Sequence, residues 1–212
     1  FNNTIYKFNQ KLIRILKSCK ELKQFILFSG LGVDIDKNSK RSIAVHKSEK
    51  EAFKQLDNAI IIRSGVIIGG GDIFLKRLLP IFKASFFVPL FGDGSTKFQP
   101  VFIDDVSLAV DEIINSKIKG KNIYELAGPR IYSYKEFFNH ISNFLNKTRV
   151  LVPIPMAFMK PMINIAEKTP ISPLTSEQLK LFEKDNLIVN VDKSFQNLDI
   201  NPQDTLPVSY TH

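Results

Sequence analysis

Helical and strand-like segments alternate in the first part of the chain. Residues 9–22 and 42–56 place apolar side chains at helical spacing, with polar residues on the opposite face. Phe25–Phe28 and Ala59–Ile62 are continuous apolar runs of strand length, which suit strands buried on both faces of a parallel sheet. A helix–strand–helix–strand order with short links implies right-handed crossovers. The pattern therefore predicts an α/β fold with a doubly wound parallel sheet.

Capping and turn residues organise the remainder of the chain. Ser133–Glu136 and Thr175–Gln178 are capping boxes, and each predicts the start of a helix. The other predicted elements are a helix over 73–83 capped by Asp72, a hairpin or loop at Gly92–Ser95 between apolar runs 88–91 and 98–103, a helix over 106–115 capped by Asp104 or Asp105, and a strand over 122–126.

These elements predict two unequal parts and a tail. Residues 1–128 form the sheet-bearing part, and residues 129–190 form most of a smaller carboxy-terminal α/β lobe. Residues 70–100 are expected to contribute to that lobe as well. The segment 191–212 is rich in turn residues and is expected to fray.

Charge raises the question of an anionic partner. The chain has 212 residues and a formal charge of +8, which is typical of proteins that contact nucleic acid or an anionic membrane. However, six of the 29 basic residues are Arg, the side chain best suited to bidentate phosphate contacts, and the rest are scattered Lys. We therefore predict no nucleic-acid partner. A basic scaffold module that touches membrane or nucleic acid stays open as an alternative.

Cysteine and histidine usage limits the chemistry further. Cys19 is the only cysteine, so no intrachain disulfide can form, and a reducing compartment is the simplest expectation. His46, His140 and His212 have no metal-ligand spacing, so no metal site is predicted.

No apolar run is long enough to predict a membrane-spanning helix. The longest candidate, Val152–Ala166, is interrupted by Pro153, Pro155 and Pro161. Its first half, Val152–Met159, either packs within the small lobe or presents a surface to a partner or to a membrane.

Several residues at strand ends and on one helix could bind a ligand. Ser29 follows a buried strand at its carboxyl end, where open α/β sheets bind ligands, although Ser and Gly are also ordinary turn residues. Arg63–Gly65 and Gly69–Asp72 follow the next strand, where glycines allow close approach of backbone to a ligand or simply form a turn. Lys47 could bind ribose hydroxyls, or it could only pair with Glu51 one helical turn away.

Six runs, in this order, resemble the extended short-chain dehydrogenase/reductase family, the NAD-dependent epimerase/dehydratase group. They are Phe25–Gly30, Ile43-x-x-x-Lys47, Ile62–Gly69, Gly92–Ser95, Val101–Val106 and Tyr124–Pro129. No single run is specific, but the ordered set is similar to the family over roughly residues 5 to 190. The resemblance implies a partial Rossmann-like doubly wound sheet that binds NAD(P).

Three further runs are similar to the atypical branch that contains the nucleotide-binding accessory subunit of respiratory complex I and its bacterial relatives. They are Lys97–Val106, Leu151–Pro155 and Leu174–Gln178 with the later pair Asp185-Asn186. This resemblance implies that complex I core subunits are the partners. It also implies a location on the cytoplasmic or matrix side, peripheral to the inner membrane and with a contact to that membrane.

The resemblance also implies which residues face the cofactor. NADPH is expected in preference to NADH. The cofactor-binding residues that it implies are Ser29 and Lys47, together with the strand end Arg63, Ser64, Gly65 and Val66 near the nicotinamide.

Three departures from the family pattern weigh against catalysis. A Tyr four residues before a Lys would share a helix face with it, and the ammonium would lower the pKa of the phenol for proton transfer. Ile43 stands at that Tyr position and cannot ionise. Phe98 stands where epimerases hold a substrate diphosphate with an Arg, and the glycine-rich pyrophosphate loop is expected to lie before Phe1. The resemblance therefore implies a structural or assembly role with no independent activity.

An active epimerase/dehydratase or reductase of the same fold is the alternative. It would need another acid in place of the missing phenol, and Tyr132 or Tyr134 from the small lobe are the candidates.

Overall fold

The computed structural model describes residues 1–116, 118–167, 175–189 and 193–205. Part of the expected tail 191–212 therefore lies outside the described residues, as does Leu174, the first residue of the run Leu174–Gln178. Within the described part, Phe195–Leu198 form a short 3₁₀ helix in which Phe195 and Leu198 are buried, so this stretch is not frayed.

The helices are α1 (Phe8–Lys17), α2 (Lys40–Gln55), α3 (Ile73–Ala84), α4 (Ile103–Asn115), α5 (Tyr134–Phe144), α6 (Met156–Ala166) and α7 (Ser176–Leu179). The strands are β1 (Phe25–Gly30), β2 (Ala59–Ser64), β3 (Ile67–Ile68), β4 (Phe87–Phe91), β5 (Lys97–Phe98), β6 (Val101–Phe102), β7 (Asn122–Leu126), β8 (Tyr132–Ser133) and β9 (Val150–Ile154). A π-helical turn, Asn2–Lys7, precedes α1, and a 3₁₀ turn, Lys180–Phe182, follows α7.

The chain divides into two compact units, of which the first contains Phe1–Gly65, Asp104–Ala127 and Ile188–Pro202. Its sheet is parallel, with strand order β1-β2-β7. Every residue of β2 is buried, as its continuous isoleucine run predicts. Helices α1 and α2 contribute Ile13 and Ala52 to a core with Ala59 and Ile61. The predicted α/β fold with a Rossmann-like parallel sheet is thereby confirmed.

Three expectations for the first unit need correction. Strand β1 is not buried on both faces, because it lies at the end of the three-stranded sheet, and Phe28 is half exposed. Helix α1 ends at Lys17 rather than near residue 22, because the Ser18 hydroxyl donates to the carbonyl of Ile15 and satisfies a backbone group that would otherwise need a further turn. Helix α2 starts two residues earlier than predicted, with Ser39 as its N-cap.

The second unit contains Val66–Ile103, Gly128–Leu187 and Gln203–His212. Among its described residues, three strand pairs form small sheets: β3 with β6 and β4 with β9 are parallel, and β5 with β8 is antiparallel. Aromatic rings fill its core, and the Phe98 ring stacks on Tyr134 with centroids 4.4 Å apart. The Asp72 cap and both predicted capping boxes are present.

Of the two alternatives predicted at Gly92–Ser95, the structure has the loop and not the hairpin. Strand β4 pairs in parallel with β9, and the run 98–103 is split between β5 and β6 by Pro100, which has no N–H for a strand ladder. Asp104 and Asp105 do not precede α4 but lie in its first turn. Their negative charges there interact favourably with the positive end of the helix dipole.

Candidate functional site

Three polar residues form one row across the parallel sheet of the first unit. The strand register places Ser29 beside Arg63, and Arg63 beside Glu125. Each is the last residue but one of its strand, so the row lies at the carboxyl edge of the sheet. Residues in register on neighbouring parallel strands point to the same face, and that face is covered here by Glu49 of α2.

Glu49 is the centre of the arrangement. Arg63 donates two hydrogen bonds to its carboxylate, from Nε to Oε1 at 3.0 Å and from Nη2 to Oε2 at 2.8 Å. The Ser29 hydroxyl donates to Oε1 at 2.6 Å, and His46 Nδ1 lies 2.9 Å from Oε2. Because Glu49 is 2% exposed, this bidentate pair is shielded from solvent.

The pairing fixes the charge state of Glu49. Burial raises the pKa of its carboxyl group, but the hydrogen bonds from Arg63, Ser29 and His46 outweigh burial and hold the pKa below its ordinary value. For Arg63, burial lowers the guanidinium pKa, and the bond to Glu49 more than reverses this effect. Both groups are therefore ionised at neutral pH.

Two more carboxylates surround the same guanidinium. Arg63 Nη1 donates to Asp34 Oδ2 at 2.9 Å and lies 3.6 Å from Glu125 Oε1. Glu125 is itself held in place, since its Oε2 accepts a hydrogen bond from the backbone N–H of Val189. One cation thus faces three carboxylates, so the edge of the sheet is locally negative.

This arrangement limits what the Arg63 guanidinium can bind. The Arg63 guanidinium donates hydrogen bonds to Glu49 of α2 and to Asp34, so it holds α2 against the sheet. With these donors in use, it is poorly placed to bind a phosphate in a bidentate manner at the same time. Arg63 is therefore a positioning residue in the geometry observed, and its direct contact with a cofactor stays a prediction.

The rest of the predicted strand end is defined by backbone bonds. The carbonyl of Ser64 accepts from Leu31, the N–H of Gly65 donates to Leu126, and the carbonyl of Val66 accepts from Val101. Their contact with a nicotinamide also stays a prediction. What the structure shows is a fixed backbone path out of β2.

Ile43 and Lys47 lie away from this network. Ile43 is 39% exposed, and the Lys47 ammonium extends to 5.9 Å from the centre of the Tyr6 ring. The stripe of α2 that faces the sheet instead carries Val45 and Glu49. Neither stripe holds a Tyr–Lys pair, because α2 contains no tyrosine at any position. The absence of a helix phenol therefore does not depend on which stripe faces a cofactor.

The surroundings of Tyr132 and Tyr134 do not favour either phenol as a replacement for the missing one. Both side chains are buried in the second unit. Burial raises the pKa of Tyr132, and a hydrogen bond from its hydroxyl to Asp204 raises it further. Burial alone raises the pKa of Tyr134. A phenol that exchanges protons near neutral pH needs its pKa lowered, so these surroundings oppose that role.

The sequence reasoning missed Glu49, Asp34 and Glu125. A signal for the first was present, since Arg63 interrupts a buried isoleucine strand and a buried arginine needs a carboxylate partner. Glu49 lies on the apolar stripe of the preceding helix and was the available candidate.

Two features are absent from the described residues. They contain no cluster of three or more His, Cys, Asp or Glu side chains arranged to hold a metal ion. Among the same residues, no helix combines the length and the apolar character needed to cross a membrane.

No family model matches the chain. It is similar to the Arabidopsis thaliana mitochondrial NADH dehydrogenase [ubiquinone] 1 alpha subcomplex subunit 9, at 28% identity over 95% of this chain and 53% of that protein. It is also similar to the Neurospora crassa mitochondrial NADH-ubiquinone oxidoreductase 40 kDa subunit, at 23% identity over 90% of this chain and 50% of that protein. The chain thus spans about half the length of these curated relatives.

Solved structures show the same fold. A Staphylococcus aureus nucleoside-diphosphate-sugar epimerase superposes with a TM-score of 0.75 at 14% identity, covering 100% of this chain and 72% of that one. A human epimerase family protein with NADPH gives 0.72 at 17% identity, covering 100% and 74%. A Bacillus cereus UDP-glucuronic acid 4-epimerase with UDP-glucuronic acid and NAD gives 0.69 at 16%, covering 97% and 65%. The curated relatives confirm the resemblance drawn from the sequence, and the solved structures confirm its fold.

Proposed function

We propose that the protein carrying this chain binds NAD(P) and serves as a structural or assembly accessory subunit of NADH:ubiquinone oxidoreductase, with no catalytic activity of its own. The similarity to NADH dehydrogenase subunits over 95% of the chain supports the association. The fold shared with proteins solved with NAD and NADPH supports the cofactor.

One observation carries the proposed lack of activity. Helix α2 contains no tyrosine, and its buried ionisable group, Glu49, is bound by Arg63, Ser29 and His46. A helix of this kind can hold a neighbouring ligand in place, but it has no phenol to move a proton to or from a substrate.

Among the residues that would hold the dinucleotide, Ser29 fits best. Its hydroxyl lies at the carboxyl edge of the sheet and donates its proton in the hydrogen bond to Glu49. The hydroxyl oxygen therefore still has lone pairs that can accept a hydrogen bond from a ribose hydroxyl or from the nicotinamide amide. Lys47 is exposed, so its ammonium can reach ribose hydroxyls. Ser64, Gly65 and Val66 would offer backbone near the nicotinamide. Bound NAD(P) supplies hydride chemistry in active relatives of this fold.

The cofactor part is tested by titrating the full-length protein with NADPH and with NADH in a calorimeter. We expect saturable binding of both, tighter for NADPH, and no change in the absorbance of the reduced nicotinamide when nucleotide sugars are added. Absence of heat at millimolar dinucleotide would remove the cofactor proposal, and steady oxidation of the nicotinamide would remove the proposed inactivity.

The partner part is tested separately. Core subunits of complex I are the proposed partners, and the proposed place is the matrix side or its cytoplasmic equivalent, peripheral to the inner membrane. Tagged full-length protein should migrate with complex I on a native gel and recover its core subunits. Migration only as a free protein would contradict the partner assignment without touching the cofactor result.

A further inference from the structure

A cluster of apolar side chains lies uncovered on one face of the β4–β9 pair in the second unit. Phe86 and Phe87 are 52% and 60% exposed, and their rings meet edge to face with centroids 5.1 Å apart. Val150 pairs directly with Phe87 in the strand register, and Val152 follows on the same face. The opposite face of the pair packs against the rest of the unit, because Val88 is buried in the aromatic core.

Three cations, Lys83, Lys147 and Arg149, border this apolar cluster, and hydrogen bonds fix the positions of the last two. Lys147 Nζ donates to the carbonyl of Lys83 at 3.3 Å, and Arg149 Nε donates to the carbonyl of Phe82 at 2.6 Å. The N–H of Val150 donates to the carbonyl of Phe86 at 3.0 Å, which ties the two segments together. Lys147 and Arg149 thus bind neutral carbonyl oxygens in these contacts, and such bonds do not neutralise their positive charges.

Carboxylates are absent from both segments that build this surface. Residues 73–92 contain three Lys or Arg and no Asp or Glu, and residues 137–166 contain three Lys or Arg and again no Asp or Glu. A chain with 21 acidic residues leaves these 50 positions free of them, so both segments carry positive charge; of their cations, Lys160 pairs with Glu183, which lies outside them.

We propose that this basic-aromatic patch, made of Lys83, Phe86, Phe87, Lys147, Arg149, Val150 and Val152, binds the surface of an anionic lipid bilayer. The phenyl rings would enter the boundary between headgroups and acyl chains, and the cations would contact lipid phosphates. The inference extends the peripheral location proposed above and identifies the surface that makes the membrane contact.

The composition favours a bilayer over a protein partner. Interfaces between proteins are depleted in Lys and carry matched charges of both signs, whereas membrane-surface segments combine Phe with Lys and Arg of one sign. The patch has two lysines, one arginine and no carboxylate within its segments. A bilayer with anionic headgroups complements this combination without needing a shaped groove.

The test is sedimentation of full-length protein with vesicles of phosphatidylcholine, alone or with about one third phosphatidylserine. We expect binding to the anionic vesicles that weakens with salt, and little binding to the neutral ones. The double change Phe86→Ser and Phe87→Ser should lower binding by about tenfold or more, because two apolar rings are lost. Lys83→Glu should lower it about tenfold by replacing a cation with an anion.

Phe8→Ser and Lys20→Glu are matched controls, because both residues are exposed and lie in the first unit. They should leave vesicle binding unchanged, and all variants should keep the wild-type thermal transition. Equal binding by the patch variants and the wild type would overturn the proposal. So would patch variants that release complex I subunits while vesicle binding is unaffected, since the surface would then serve a protein. Neither failure would alter the dinucleotide titration.

Discussion

Replacing Glu49 with Gln tests whether the buried ion network holds α2 on the sheet. The substitution keeps the shape of the side chain and one acceptor oxygen but removes the charge. Arg63 then loses its bidentate partner while remaining about nine-tenths buried. Ser29 and His46, which also bind the Glu49 carboxylate, lose a charged acceptor.

The size of the effect follows from what remains around Arg63. Removing one partner of a buried ion pair typically costs about 3–5 kcal/mol, because the other charge is left uncompensated. Here Asp34 stays at 2.9 Å and Glu125 at 3.6 Å from Nη1, so part of the charge is still balanced. We therefore expect the lower end of the range, a loss of about 3 kcal/mol in the free energy of unfolding.

Urea denaturation of the full-length protein measures this loss. With a slope of about 2 kcal/mol per molar urea, the midpoint should fall by about 1.5 M. Glu21→Gln is the matched control, since Glu21 is exposed, and its effect should stay within about 0.5 kcal/mol. A Glu49→Gln variant as stable as the control would show that the network does not fasten α2, and the positioning role given to Arg63 would be wrong.

Three further outcomes are expected. The pKa of Glu49 is lower in the folded protein, so the stability that its carboxylate contributes is complete above the ordinary pKa of 4.5 and is lost as pH falls through the folded-state pKa. The difference in unfolding free energy between wild type and Glu49→Gln should therefore shrink from pH 6 to about pH 3. A constant difference in urea titrations would contradict this. Gly128→Ala should cost about 1–3 kcal/mol, because its Cβ would lie 2.4 Å from the Pro100 carbonyl oxygen, whereas Gly70→Ala, with open space, should be neutral in thermal melts. Asp72→Ala should cost about 1 kcal/mol through loss of the α3 cap, and an unchanged melting temperature would count against that cap.

The local signals in the sequence predicted much of the fold. The isoleucine run of β2 is typical of a buried strand. In the capping boxes that begin at Ser133 and Thr175, both hydrogen-bonding residues lie within four positions of each other, so the sequence alone indicates them. The pairing of β4 with β9 could not be predicted in this way. This pairing joins residues about sixty positions apart in the chain. The turn residues at Gly92–Ser95 indicate where β4 ends, but they do not indicate which strand lies beside it.

The candidate site was predicted in part. Ser29 and Arg63 were chosen because they end neighbouring parallel strands, and the structure does place them side by side. Glu49 was not predicted, because the tyrosine–lysine spacing points to Ile43 and Lys47, which belong to the exposed stripe of α2. Which stripe of a helix faces the sheet depends on packing, here through Glu49, and the tyrosine–lysine spacing alone carries no information about it.

We propose that this protein holds a dinucleotide without turning it over. The decisive measurement is calorimetric titration of the full-length protein with NADPH, followed by absorbance of the bound reduced nicotinamide in the presence of nucleotide sugars. Saturable binding with constant absorbance is the predicted result. Failure to bind, or oxidation of the bound cofactor at a rate above that of free NADPH, would contradict the claim.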